Sequence, residues 1–199
     1  MSRVAIIPAR GGSTRIPGKN IREFHGRPIL EYSIDTALRS GLFDAGVWVS
    51  TEDPKIARVA WAAGAKLHPR QMALAENDVG TQEVMRAVLL ELYPPGGTHA
   101  LPEFACCIYA TAPLMTVADL RMGFALVAAG IKQYVFSTGY EDAGQWYWGK
   151  SKAFVDGIPL EGNSLGHLLP AERVCDINVE ADWRRAEQLY TQLHGGSDG

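Results

Sequence analysis

The chain has 199 residues, enough for one domain with a full hydrophobic core and too few for two large ones. Apolar residues make up 47% and charged residues 21%, a balance that excludes disorder as the dominant state. A net charge of −3 supplies no global positive field, so no nucleic-acid partner is expected.

Residues 3–8 (RVAIIP) form a short Val/Ile-rich run, as a buried parallel strand does. A glycine-rich basic loop follows from Arg10 to Asn20. Pro28 opens a helical pattern that runs through Ser40, with Gly41 as its stop. VWVS at 47–50 reads as the second strand, and Asp53-Pro54 as the cap and first turn of a helix ending near Gly64. A brief extended piece at 65–68 precedes a helix from Thr81 to about Leu92. FACCIYA at 104–110 is the most apolar strand, and so a central one. Thr116 caps a helix to Gly130, and QYVFS at 133–137 and QWYWG at 145–149 are further strands. RVCDI at 173–177 reads as a late strand feeding a terminal helix from about Glu180 to Leu193, before a loose GGSDG tail.

Strands alternating with helices predict an α/β fold with a doubly wound, mainly parallel sheet. The region 137–172 breaks the rhythm and reads as a small β-rich insertion. No linker or repeat divides the chain, so a single domain over 1–199 is expected. Cys106, Cys107 and Cys175 are odd in number and lack zinc-site spacing, so they read as buried free thiols of a cytoplasmic protein. The N-terminal apolar run is too short for a signal segment, and no stretch of about 18 apolar residues marks a membrane partner.

In open α/β sheets ligands bind at the carboxyl ends of the strands, and the first strand–loop–helix unit is the usual place. Here that loop reads ARGGSTRIPGKN. Gly11 and Gly12 let backbone N–H groups approach an anion. Arg10 and Arg15 bring planar guanidinium forks, and Lys19 a mobile point charge. The set suits a polyphosphate, and equally a solvated basic loop. It matches neither the Walker pattern nor GxGxxG.

VAIIPARGGSTRIPGKN resembles the opening signature of the cytidylyltransferases that activate nonulosonic acids, the CMP-sialate synthetase group. The spacing from Arg10 through Ser13 to Lys19 and Asn20 matches without a gap. VSTEDPKIARVAWAAGA, Arg70 with LAENDVGT, and CCIYATAPL resemble three further stretches of that family. DAGQWYWG at 142–149 and DINVEADW at 176–183 resemble its pseudaminic-acid branch. The resemblance implies a nucleotide-diphospho-sugar transferase-like, Rossmann-like fold. It implies an enzyme whose partners are CTP and a nine-carbon α-keto acid sugar, working as a homodimer. The sugar's anomeric hydroxyl attacks the α-phosphate of CTP and pyrophosphate leaves, a step that needs positioning and charge neutralisation.

By resemblance, Arg10, Lys19 and Asp176 are catalytic. Arg10, Gly11, Gly12, Ser13, Arg15, Lys19 and Asn20 hold the nucleotide, while Arg70 and Thr81 read the cytosine. Tyr109, Thr111, Asp142, Gln145 and Tyr147 face the sugar. Asp176 and Asn178 contact the cofactor, Mg2+, for which hard oxygen donors are suited. Plainer uses stay open: Asp176 as an N-cap for the last helix, Asp142 and Gln145 as turn residues, and at least one of Trp146, Tyr147 and Trp148 as core.

The chain departs from the family pattern in three places. Thr14 stands where the family carries Lys after the loop serine. Asp176-Ile177-Asn178 replaces Asp-x-Asp, and one carboxylate fewer predicts either weaker metal affinity or a metal held mainly by CTP. The family has a longer connection between its VFS strand and DAGQ. Either the chain is natively trimmed there or a mobile stretch is missing between about Thr138 and Asp142, and the matching flanks favour the second. Specificity for N-acetylneuraminate or legionaminate, and a nucleotide-binding paralogue with weakened catalysis, remain as alternative functions.

Overall fold

The computed structural model describes residues 1–76, 79–139 and 142–195, with Asp142 described through its backbone alone. The GGSDG tail beyond Gly195, two residues of LAENDVGT, and residues 140 and 141 of the short connection therefore lie outside the described residues.

β1 (Arg3–Pro8) is followed by the basic loop and a two-stranded hairpin, β2 (Glu23–Phe24) and β3 (Arg27–Pro28). α1 (Ile29–Ser40) starts directly after Pro28 and ends at Gly41. β4 (Gly46–Thr51) leads to α2 (Pro54–Ala62), where Asp53 accepts the N–H groups of Lys55 and Ile56 as the expected cap. β5 (Lys66–Pro69), α3 (Thr81–Leu92) and β6 (Phe104–Ile108) come next. α4 (Val117–Ala128) opens with a reciprocal capping box between Thr116 and Asp119, an arrangement that contributes about 1 kcal/mol. β7 (Tyr134–Thr138), β8 (Asp142–Lys150), the short α5 (Ser151–Val155), β9 (Ser164–Leu168) and α6 (Glu180–His194) complete the order.

Seven strands make one sheet in the order β5-β4-β1-β6-β8-β7-β9. β6 is therefore the central strand, as its unbroken apolar run predicts. All pairings within the sheet are parallel except those of β8, which runs antiparallel to β6 and β7. The region 137–172 thus contributes β8 and β9 to the main sheet. Thr138 pairs with Asp142, so the chain crosses from β7 to β8 within three residues.

The sheet separates two apolar layers. Ala5, Ile7, Val49, Cys106, Ile108, Trp146 and Trp148 face the layer under α1, α2 and α4. Val4, Ile6, Cys107, Tyr147 and Phe154 face the layer with α3. The alternation Trp146-Tyr147-Trp148 across the two layers is the period of a strand buried on both sides. All three cysteines are buried and unpaired, as read from their spacing.

The expected strand at 173–177 is not formed. A short 3-10 turn spans Ala171–Arg173, and residues 174–178 are irregular backbone. The sheet edge beside β7 is taken by β9, so this segment has no strand to pair with. Its alternating apolar residues, Cys175 and Ile177, are buried instead against Phe24, Tyr32 and Trp183, beneath the hairpin and α6. Burial with a two-residue period imitates a strand without any ladder behind it.

Candidate active site

The carboxyl ends of β1 and β6 and the start of α3 enclose a polar cleft of about 220 Å³. Arg10, Ser13, Arg15, Lys19 and Asn20 line it from the basic loop, and Arg70 and Thr81 from the opposite wall. Tyr109 and Thr111 close the β6 end, and Asn178 reaches in from the segment before α6. Residues spread over most of the chain thus converge on one hollow, at the position where an open α/β sheet places its ligand.

Local packing fixes the loop. The Asn20 side chain donates to the Arg10 carbonyl at 2.9 Å and ties the two ends of the loop together. Arg10 Nη1 donates to the Glu76 carbonyl at 3.0 Å, bridging the cleft mouth. Ser33 of α1 donates to the Tyr109 carbonyl at 2.8 Å, which anchors the turn after β6.

Gly11 packs closely against the turn after β4. Its N–H donates to Glu52 Oε1 at 2.6 Å, and a Cβ there would lie 2.5 Å from Asp53 Oδ2. Gly11 and Gly12 line a separate hollow with Glu52 and Asp53, outside the main cleft. The sequence pattern shows glycine beside cations but not which way each amide points.

Lys19 Nζ donates to the Ile177 carbonyl at 2.6 Å, joining the basic loop to the segment before α6. Burial pushes its pKa below the usual lysine value, Asp176 pulls it back up, and Arg15 and Arg10 add to the lowering. Four cations share the cleft, so a polyanion entering it is favoured. Arg70 is buried, with Nε donating to Ser50 Oγ at 3.2 Å and Nη2 to the Ser50 carbonyl at 2.9 Å.

Asp176 is not used as the cap of α6. Asp182 does that work, accepting the N–H groups of Asn178 and Val179 at 2.8 Å each. The Asp176 carboxylate instead accepts from Asn178 Nδ2, while Asn178 Oδ1 accepts from Arg15 Nη2 at 3.0 Å. Asp176 lines a second, larger hollow with Gly139, Leu168, Val174 and Arg185, and Asn178 borders both hollows. A Cβ on Gly144, held at φ 60°, would lie 2.5 Å from Asp176 Oδ1, so β8 presses its backbone against this carboxylate.

Two expected sugar contacts stand away from the main cleft. Gln145 is 2% exposed within β8, and its amide donates to the Arg173 carbonyl. It is thus neither a cleft residue nor a turn residue. Tyr147 is packed in the apolar layer with Ile6 and Phe154. The Asp142 side chain lies outside the described residues.

For a divalent ion, the described residues hold no group of three His, Cys, Asp or Glu side chains. Asp176 in the second hollow and the Asn178 amide, which borders both hollows, are hard oxygen donors, which fits an ion whose other ligands come from a bound anion and water.

A cytidylyltransferase family model matches residues 4–137, and the chain belongs to that family. A pseudaminic acid cytidylyltransferase of Campylobacter jejuni (strain NCTC 11168) is 31% identical, covering 98% of both chains. The aligned span of 232 residues exceeds the 199 of this chain, so that relative carries residues this chain lacks. N-acylneuraminate cytidylyltransferase A of Danio rerio is 27% identical over 92% of this chain and 50% of its own. Among solved structures, a CMP:2-keto-3-deoxy-manno-octonic acid synthetase complexed with CTP superposes with a TM-score of 0.71. It is 15% identical, over 97% of this chain and all of that one. This likeness shows the nucleotide-diphospho-sugar transferase-like fold expected from the sequence.

Proposed function

We propose that the chain transfers CMP from CTP to the anomeric hydroxyl of pseudaminic acid and releases pyrophosphate, for a bacterial surface glycan. The observation that carries this reading is the junction at Lys19. Its ammonium sits in the cation-lined cleft and is hydrogen-bonded to the backbone beside Asp176, where nucleotide and sugar must meet.

In this reading the triphosphate lies along the basic loop. Arg10, Ser13 and Arg15 hold its oxygens, and Asn20 keeps the loop closed. Lys19 faces the bond between the α- and β-phosphates. As the sugar oxygen approaches the α-phosphorus and the bond to pyrophosphate lengthens, negative charge grows on the phosphate oxygens, and the Lys19 ammonium offsets it. Arg70 and Thr81 meet the cytosine. Mg2+, bound through Asp176 and Asn178 together with phosphate oxygens, would add positive charge at the same phosphates.

The sugar occupies the hollow beside Asp176 and reaches past Asn178 toward Tyr109 and Thr111 at the β6 end of the cleft. Leu168 is 70% exposed beside that hollow and Val179 is also exposed, an apolar rim that suits a second copy of the chain in a homodimer. We take residues 1–199 as one nucleotidyltransferase domain in which 137–172 shapes the sugar site and the dimer. Among the described residues no helix is long and apolar enough to cross a membrane. The free thiols suit a reducing, cytoplasmic setting.

The test is pyrophosphate release with CTP, Mg2+ and a panel of nonulosonic acids. Turnover with pseudaminate is expected. Turnover with N-acetylneuraminate or legionaminate alone moves the protein to another branch. CTP binding without turnover on any sugar identifies a nucleotide-binding paralogue.

A further inference from the structure

A buried line of hydrogen bonds runs from the cleft wall to the surface. Ser50 at the end of β4 lies opposite His68 of β5 in the parallel register. Ser50 is fully buried and His68 is 3% exposed. His68 Nε2 is 2.9 Å from Glu91 Oε2 on α3, and its Nδ1 is 3.2 Å from Ser50 Oγ. Glu91 is held in turn by Gln71, whose amide donates to Oε1 at 2.8 Å. At the inner end, Ser50 receives Arg70 through both its hydroxyl and its carbonyl.

With a neutral His68 ring, the chemistry of these groups sets the direction of every bond. A carboxylate only accepts, so His68 Nε2 carries the proton toward Glu91. In the neutral ring Nδ1 is then an acceptor, and the Ser50 hydroxyl donates to it. That turns a Ser50 lone pair toward Arg70 Nε–H. Among the described residues Arg70 forms no ion pair with a carboxylate within 4 Å, and both hydrogen bonds of its side chain go to Ser50. Arg70 Nη1 has no hydrogen-bond partner among the described residues, and Arg70 lines the cleft.

We propose that Ser50, His68 and Glu91 are positioning residues that aim the Arg70 guanidinium and thereby set the choice of cytosine over uracil. The proposal rests on the reading that Arg70 meets the base. Cytosine offers two acceptors side by side, N3 and O2, which a fork of two donors matches. Uracil carries a hydrogen on N3 and repels one arm of that fork. A guanidinium free to tilt falls back on O2, which both bases share, so selectivity suffers more than affinity.

The test measures dissociation constants for CTP and UTP with Mg2+ on the same preparation of full-length protein. Their ratio is independent of any inactive fraction. Ser50→Ala and His68→Gln are each expected to lower the preference for CTP about fivefold, the loss of one buried hydrogen bond. The double variant should be no worse than either single one, since both break the same line. His68→Asn, which places an amide oxygen near the position of Nδ1, should recover most of the preference. An unchanged ratio in Ser50→Ala and His68→Gln, alongside a ratio lost in Arg70→Ala, overturns the positioning role while leaving Arg70 as the base reader. A ratio unchanged in Arg70→Ala overturns the reading of Arg70 itself. His68→Asn no better than His68→Gln overturns the route through Nδ1.

Discussion

The two hollows that meet at Asn178 are built in different ways. The cation-lined cleft stands on the ends of parallel strands, and each of its walls is pinned by backbone contacts: Asn20 to Arg10, Ser33 to Tyr109, Arg70 to Ser50. The hollow beside Asp176 stands on irregular backbone at 174–178, on the end of β9 and on the first turns of α6. It is wider, at about 890 Å³, and has an exposed apolar rim. A triphosphate is a constant ligand that rewards a rigid cradle, whereas an acceptor sugar is the part of the reaction that differs between enzymes. A loop tied down at its ends, as the basic loop is by Asn20, holds its side chains in place, whereas untied loops are where specificity varies.

Changes at the junction should have the largest effects and should damage both halves at once. Lys19→Ala is expected to lower kcat by about 100-fold or more, the scale of removing one charge-stabilising donor, read by pyrophosphate release. An undiminished kcat would remove Lys19 from the phosphate side. Asp176→Asn should cost about 10–100-fold at low Mg2+ and recover partly as Mg2+ is raised, as loss of a metal contact does. A loss that Mg2+ leaves untouched would place Asp176 with the sugar instead.

A third change separates the stability of the second hollow from its chemistry. Arg173 pairs with Asp119, which is 4% exposed, and its carbonyl receives Gln145. Arg173→Met leaves that carboxylate without its cation, and unfolding in urea should show a loss of about 3 kcal/mol. CTP affinity should change little, because Arg173 does not line the nucleotide cleft. A large loss of CTP affinity would mean that the two hollows are mechanically coupled.

The smallest expected effect is a pH limb. Burial, outweighing the pull of Asp176, holds the Lys19 pKa below 10.5. Activity that needs the ammonium should therefore fade on the alkaline side at a lower pH than an ordinary lysine gives. Lys19→Arg, which stays charged, should lose that limb whatever its rate. For stability the sign is opposite. The unfolded chain binds this proton more readily, so the cost of charging Lys19 is complete below its folded pKa. That cost disappears as pH rises toward 10.5, and Lys19 favours folding more as it does so.

The convergence of the basic-loop residues on one cleft was largely legible beforehand. Arg10, Ser13, Arg15, Lys19, Asn20, Arg70 and Thr81 all reach the predicted cleft, because a strand–loop–helix unit and a strand end have few ways to point. The sugar half was less so. Gln145 and Tyr147 lie on a strand that the motif identifies correctly, but facing the interior. Cys175 and Ile177 alternate like a strand, and only the presence of β9 at the sheet edge shows that no strand forms there. Ser50, His68 and Glu91 left no sequence signal. A serine ending one strand, a histidine within another and a glutamate on a helix become a group only through register and helix docking.

By itself, the sequence determined most of the elements, the caps of α2 and α4, the central place of β6 and the chemistry of the basic loop. These follow from local periodicity, from residues with narrow backbone or capping roles, and from charges close together along the chain. The tertiary structure alone decided that β8 runs antiparallel between β6 and β7, and that Asp182 rather than Asp176 caps the last helix. It also decided that Gly11 gives its amide to Glu52 and that Arg70 donates to Ser50 of the neighbouring strand. Each of those choices is a competition among distant groups for one partner, and only the folded arrangement brings the competitors within reach.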